Sequence, residues 1–282
     1  MRLGFVGVGR HAQRMARCFL ECGAEVVAYD RASRSEPAEL AAAIGWGRRE
    51  RWEDMITSPD IDAIVCCAPP AVTVEVALSC AFHGKRCCAT KPLKITDEVG
   101  DAPFSPAVYA SLYVDLWRLY SPAWVALRDE LLGRTISAVH VDFYGNGPKR
   151  PTHSGLLDYG PHALAFVLDL GLKPELRWTQ PEPGKWAVGS YPEYPGSNGV
   201  SVLTGNGFAS SVSYIRVETT DGGQYVWHER DSMQTFYAGG AVLVQNYTEQ
   251  ALRNFCRAFM RGGTSETLRI SCEAMRLLKG AS

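Results

Sequence analysis

The opening stretch RLGFVGVGRHA constrains this chain more than any other. A short apolar strand runs into G-x-G-x-x-A at Gly7, Gly9 and Ala12. The stretch AQRMARCFLEC over 12–22 then places apolar residues at helical spacing, and AEVVAYD reads as a second strand ending in Asp30. Strand, tight turn, helix, strand and terminal acid form the context that a dinucleotide fingerprint requires. Gly7 makes the turn, Gly9 lets the backbone approach a pyrophosphate, and Ala12 allows close helix–strand packing. The helix amino terminus faces the phosphate charge, and Val8, Arg10 and His11 complete the expected cofactor loop.

Asp30 would accept hydrogen bonds from ribose hydroxyls and repel a 2′-phosphate, which favours NAD. Arg31, Ser33 and Arg34 follow at once and suit NADP instead, so NAD is favoured only slightly. Further on, DAIVCCAPP reads as a buried parallel strand, AVTVEVALSCAFHG as a helix stopped by Gly84, and KRCCAT as the next strand. Strands alternating with helices predict an α/β fold with a doubly wound parallel sheet. Ligands gather beyond the carboxyl ends of such strands. Gly7, Asp30, Ala68 and Lys91 all fall there, and Pro92 holds Lys91 out of the α region. Pro69, Thr73 and Thr90 flank the same edge and are expected among the cofactor contacts.

Composition excludes several other classes. Twenty-nine basic against thirty acidic residues, with no long basic run, argues against nucleic-acid binding. Nine cysteines without a C-x-x-C spacing give no zinc site, so no metal is expected. Cys66–Cys67 and Cys87–Cys88 lie in apolar runs, where adjacent side chains point to opposite faces and cannot pair. A reducing, cytoplasmic setting is expected. The amino terminus lacks the pattern of a signal peptide, and no apolar run reaches membrane-spanning length.

In the second half, DYGPHALAFVLDLG reads as a helix of about three turns with Asp158 at its N-cap and Pro161 in the first turn. Asp158 and His162 are four apart and project from one end. On residues alone, capping and a satisfied core histidine are as good an account as chemistry. ISAVHVDFYG, VSVLTGN, FASSVSYIRVETT, GQYVWHE and SMQTFYA read as successive strands of an open sheet.

GVGRHA, TKP at 90–92, WRLYSPA at 117–123, DYGPHALAFVLDLG and the closing helices, taken in this order, resemble the glucose–fructose oxidoreductase / inositol 2-dehydrogenase family, Gfo/Idh/MocA. The resemblance implies a Rossmann domain, expected over 1–118, and an α/β domain over 119–282 with a large open, predominantly antiparallel sheet. It implies hydride transfer between NAD(P) and a hydroxyl-bearing carbon of a sugar, cyclitol or related compound. It also implies homodimers or homotetramers formed through the second sheet. Lys91 matches the lysine of the family's E-K-P, and Asp158 and His162 match its D-x-G-x-H helix. Alcohol oxidation needs a base for the hydroxyl proton, a role assigned to His162 and exchangeable with Lys91, with Asp158 as orienting group.

Trp117, Arg118, Tyr120 and Tyr144 are expected near a substrate, and Arg150 and His153 could meet an anionic one. Thr90 replaces the glutamate of E-K-P, and Ala68 and Thr73 replace the usual threonine and histidine before it. The linker PLKITDEVGDAPFSP is poor helix material, so the crossover helix near 94–106 is expected to be lost or reduced. The alternatives are a reductase of C=N or conjugated bonds, of the imine or biliverdin kind, and a cofactor-binding protein that has lost turnover.

Overall fold

A computed structural model describes residues 1–30, 45–93, 110–145, 155–174, 177–182, 185–189, 199–206, 210–262 and 266–279. Arg31, Ser33, Arg34, Arg150, His153 and the 94–106 crossover lie outside the described residues. The chain divides into two compact units, Met1–Asp115 with Leu252–Cys272, and Leu116–Ala251 with Glu273–Ser282. The expected division after residue 118 is linear, whereas this one brings a late segment back to the first unit.

The first unit is built on a six-stranded, wholly parallel sheet in the order β3-β2-β1-β4-β5-β6. Its strands are β1 (Arg2–Val6), β2 (Glu25–Asp30), β3 (Arg48–Arg49), β4 (Ala63–Cys66), β5 (Arg86–Ala89) and β6 (Leu112–Val114). Helices α1 (Arg10–Glu21), α2 (Trp52–Thr57) and α3 (Pro70–Phe82) connect them. Strands β4 and β5 are buried on both faces, hence the unbroken apolar runs AIVC and CCA. Lys85 ties α2 down, its ammonium donating to the carbonyls of Met55, Ser58 and Ile61 at 3.3, 2.6 and 2.8 Å. All nine cysteines are free thiols.

Helices α6 (Thr248–Arg261) and α7 (Glu266–Lys279) close the chain. Phe259 of α6 packs edge-on to Phe19 and Tyr113, 5.7 and 5.2 Å between ring centres. The Arg86 guanidinium donates to the carbonyls of Phe259 and Met260 at 3.0 and 3.1 Å, satisfying the carboxyl end of α6. Thr267 of α7 accepts a hydrogen bond from the Val114 amide.

The second unit contains an eight-stranded sheet ordered β14-β13-β12-β11-β7-β10-β9-β8. Its members are β7 (Ile136–Gly145), β8 (Arg177–Glu182), β9 (Lys185–Gly189), β10 (Gly199–Asn206), β11 (Val212–Thr219), β12 (Gln224–Arg230), β13 (Met233–Ala238) and β14 (Ala241–Tyr247). All neighbours are antiparallel except β7 and β10. Helices α4 (Pro122–Glu130) and α5 (Gly155–Asp169) pack on one face. Trp124, Phe143, Phe166 and Trp227 meet beneath them in tilted and edge-on pairs.

Sequence patterning misses β3, β8, β9 and β14. These are sheet-edge strands or their neighbours, where half-exposure blurs the alternation. It also starts α5 too late. The helix begins at Gly155, so Asp158 lies inside the first turn rather than at the N-cap, and Pro161 lies in the interior. His162 is therefore two turns into the helix.

Candidate functional site

The β1–α1 turn of the first unit carries two glycines that differ in what the fold asks of them. Gly7 has φ +81°, and a Cβ there would lie 2.8 Å from the Cys67 carbonyl oxygen. Its amide donates to the Asp30 carbonyl at 2.9 Å, and the Cys67 amide to Val6 at 2.7 Å, so the β1–α1 turn is pinned between β2 and β4. Gly7 answers to the fold itself.

Gly9 differs. Its φ is −67°, open to any residue, and among the described residues, its two chain neighbours aside, no atom lies within 4 Å of where its Cβ would stand. None of these residues demands a glycine there, and a side chain would fill open space beside the start of α1. That space fits a pyrophosphate held by backbone N–H groups. Gln13 steadies the loop from within, its side-chain amide donating to the Val8 carbonyl at 3.0 Å. Ala12 is fully buried against the sheet, and Arg10 is exposed.

At the end of β2, one Asp30 carboxylate oxygen accepts the Trp52 amide at 3.1 Å, at the start of α2. Beyond β4, the buried Thr73 hydroxyl donates to the carbonyls of Ala68 and Pro69 at 2.9 and 3.2 Å, which shapes that loop. Thr90 continues the ladder past β5, its amide donating to Cys66 at 2.9 Å. Lys91 follows, part-exposed, with a cis peptide bond to buried Pro92. Burial pushes the Cys66 thiol up to about 11 and those of Cys67 and Cys88 well above the ordinary value, so this edge presents no thiolate.

In the second unit, α5 presents Asp158 and His162 one turn apart. Asp158 is part-exposed, whereas His162 is 7% exposed and lies 5.6 Å from the Phe143 ring. The Tyr159 hydroxyl packs where Gly145 lacks a side chain. Phe143 and Tyr144 are neighbours on β7 and point to opposite faces. His162 sits on the Phe143 face, so Tyr144 projects from the other and is not brought to the Asp158–His162 end. Burial and the Asp142 charge raise the Tyr144 phenol.

Arg118 is committed within the protein. Its Nε and Nη2 donate to the two oxygens of Glu229, both at 3.0 Å, with its guanidinium over Trp117 and Phe143. Glu229 also accepts from Gln234, whose oxygen takes a bond from buried Asn246. Asn246 in turn accepts from the Ser121 hydroxyl and the Ala123 amide. This network clamps WRLYSPA to β12, β13 and β14. Trp117 is buried within it, while Tyr120, at the end of a 3-10 turn over Trp117–Tyr120, stays part-exposed.

Sequence reasoning passed over Asp115, which closes YVD at the same sheet edge where Asp30 closes AYD. Its carboxylate meets His11 Nε2 at 2.5 Å. An acid directly after a buried strand was the available signal.

The profile of the family described as "Oxidoreductase family, NAD-binding Rossmann fold" matches residues 1–102. Galactose 1-dehydrogenase from Pseudomonas fluorescens is 29% identical over 190 residues, covering 60% of this chain and 57% of that protein. The chain thus matches less than two thirds of that relative's length. A solved NAD binding oxidoreductase from Klebsiella pneumoniae shares the fold with a TM-score of 0.83 at 13% identity, covering 100% of this chain and 96% of its own. Levoglucosan dehydrogenase in complex with NADH and levoglucosan gives 0.79 at 16%, covering 100% and 97%. Biliverdin reductase from Synechocystis sp. PCC 6803 gives 0.73 at 18%, covering 98% and 96%. No helix among the described residues is long and apolar enough to cross a membrane. Residues 1–102 thus match the NAD-binding Rossmann segment of the Gfo/Idh/MocA oxidoreductase family.

Proposed function

We propose that this protein is an NAD(P)-dependent oxidoreductase acting on a hydroxyl or keto carbon of a sugar, cyclitol or nucleotide-sugar-like substrate. The observation that carries the reading is Gly9, a glycine that the fold does not need in a loop the fold holds rigid. A sugar-like substrate is supported by the galactose 1-dehydrogenase relative. NAD is favoured over NADP because the Asp30 carboxylate accepts from ribose hydroxyls and repels a 2′-phosphate.

The bound nicotinamide dinucleotide supplies the hydride acceptor or donor. The loop amides after Gly9 hold its phosphates. Lys91 Nζ donates to the reacting substrate oxygen and stabilises the negative charge that develops there. His162 removes the hydroxyl proton during oxidation and returns it during reduction, and Asp158 orients the substrate hydroxyl. The chain assembles into a homodimer or homotetramer through the second sheet, whose β14 exposes Val242, Leu243 and Tyr247.

Lys91→Ala tests the assignment. It is expected to abolish turnover on a sugar panel while NADH binding, followed by thermal shift, persists. Unchanged turnover would reject the role of Lys91, and no stabilisation of the unaltered protein by NADH or NADPH would reject the function.

A further inference from the structure

Asp115 is a charged residue in surroundings that do not suit a lone charge. Its amide donates to the Ala89 carbonyl at 2.8 Å, carrying the β5–β6 ladder one residue further, to the edge from which Lys91 departs. The side chain is only 4% exposed. Oδ2 meets His11 Nε2 at 2.5 Å, and Oδ1 is buried with no hydrogen-bond partner among the described residues. The neighbourhood is made of thiols kept neutral, since burial first and the Asp115 charge second raise both Cys67 and Cys88. A carboxyl group so placed needs a hydrogen-bonding partner.

His11 is that partner, and it is the solvent-facing member of the pair, with 38% of its side chain exposed. It is the second residue of α1 and belongs to the turn whose amides face the phosphates. With Nε2 engaged by Asp115, Nδ1 is the ring nitrogen available to a ligand at the loop.

We propose that Asp115 is a positioning residue for dinucleotide binding: through the Oδ2–Nε2 hydrogen bond it fixes the His11 ring so that Nδ1–H donates to a phosphate oxygen of the bound dinucleotide. The inference rests on the NAD(P) reading and adds to it an oriented side-chain donor beside the loop amides.

The test is the dissociation constant of NADH, ADP-ribose and adenosine for the unaltered protein, His11→Gln, Asp115→Asn and Asp115→Glu, each checked for folding by circular dichroism. His11→Gln and Asp115→Asn should each weaken NADH and ADP-ribose binding about tenfold, the loss of one oriented hydrogen bond to phosphate, and leave adenosine, which has no phosphate, unchanged. Asp115→Glu should restore part of the affinity lost in Asp115→Asn. Unchanged NADH affinity in His11→Gln or in folded Asp115→Asn, or an equal loss for adenosine and ADP-ribose, would overturn the proposal. If the Asp115 variants do not fold, His11→Gln and the ligand pair decide alone. Unchanged affinity in His11→Gln overturns this inference only, whereas no NADH binding by the unaltered protein overturns the NAD(P) reading with it.

Discussion

Replacing Arg118 by alanine separates anchoring from substrate recognition. Arg118 and Glu229 are 18% and 16% exposed, with both arms of the pair at 3.0 Å. Removing one partner of a buried pair costs about 3–5 kcal/mol, and the residual exposure places this site near the low end, about 3. Loss of the cation over Trp117 and Phe143, at 4.3 and 5.1 Å, adds about 1 kcal/mol. Arg118→Ala should therefore destabilise the second unit by about 4 kcal/mol. Glu229→Gln, which keeps a neutral acceptor, should cost about 1–2 kcal/mol. Combining Arg118→Ala with Glu229→Leu should cost less than the two single changes summed, because no carboxylate then remains to be paired. Urea unfolding followed by tryptophan fluorescence reads these differences, with Trp124 and Trp227 in the core reporting on this unit. Destabilisation below about 1 kcal/mol together with a large rise in KM would refute the reasoning and return Arg118 to the substrate.

Three further outcomes follow from the geometry. Gly7→Ala should cost about 2–3 kcal/mol through its positive φ and the Cys67 carbonyl, whereas Gly9→Ala should leave thermal stability level or slightly higher yet weaken NADH binding about tenfold or more in titration calorimetry. Lys85→Met should cost about 1–3 kcal/mol in urea unfolding, because three carbonyls lose a common donor. Burial first, then Arg230, holds His228 below the ordinary histidine value, so the unfolded chain binds the proton more readily. That stability is present above the unfolded histidine value and is lost as pH falls through the folded one. The acid-side slope of unfolding free energy should therefore be shallower in His228→Gln.

The parallel sheet was legible in the sequence because β4 and β5 are buried on both faces and leave unbroken apolar runs between turn signals. The glycine loop was legible for a comparable reason, since Gly7 and Gly9 stand at fixed offsets from a strand end. Arg118 was not legible. Its commitment depends on Glu229, which is distant in sequence and reaches it only through the pairing of β11, β12 and β13. Tyr144 was misjudged because proximity along the chain to DYGPH says nothing about which face of β7 it takes. The start of α5 was masked by Pro161, which reads as a first-turn residue yet sits in the interior.

The return of Leu252–Cys272 to the first unit bears on the order in which this protein can be completed during synthesis. Strands β1 to β6 leave the ribosome early, yet Phe19 and Tyr113 find Phe259, and Arg86 finds its carbonyl acceptors, only when α6 emerges. Until then a nascent first unit carries an uncovered aromatic seam beside β6, a surface suited to chaperones or to premature association. A polypeptide stopped after Asp115 would expose that same seam permanently. The first unit is therefore completed only near the end of synthesis, although it begins the chain.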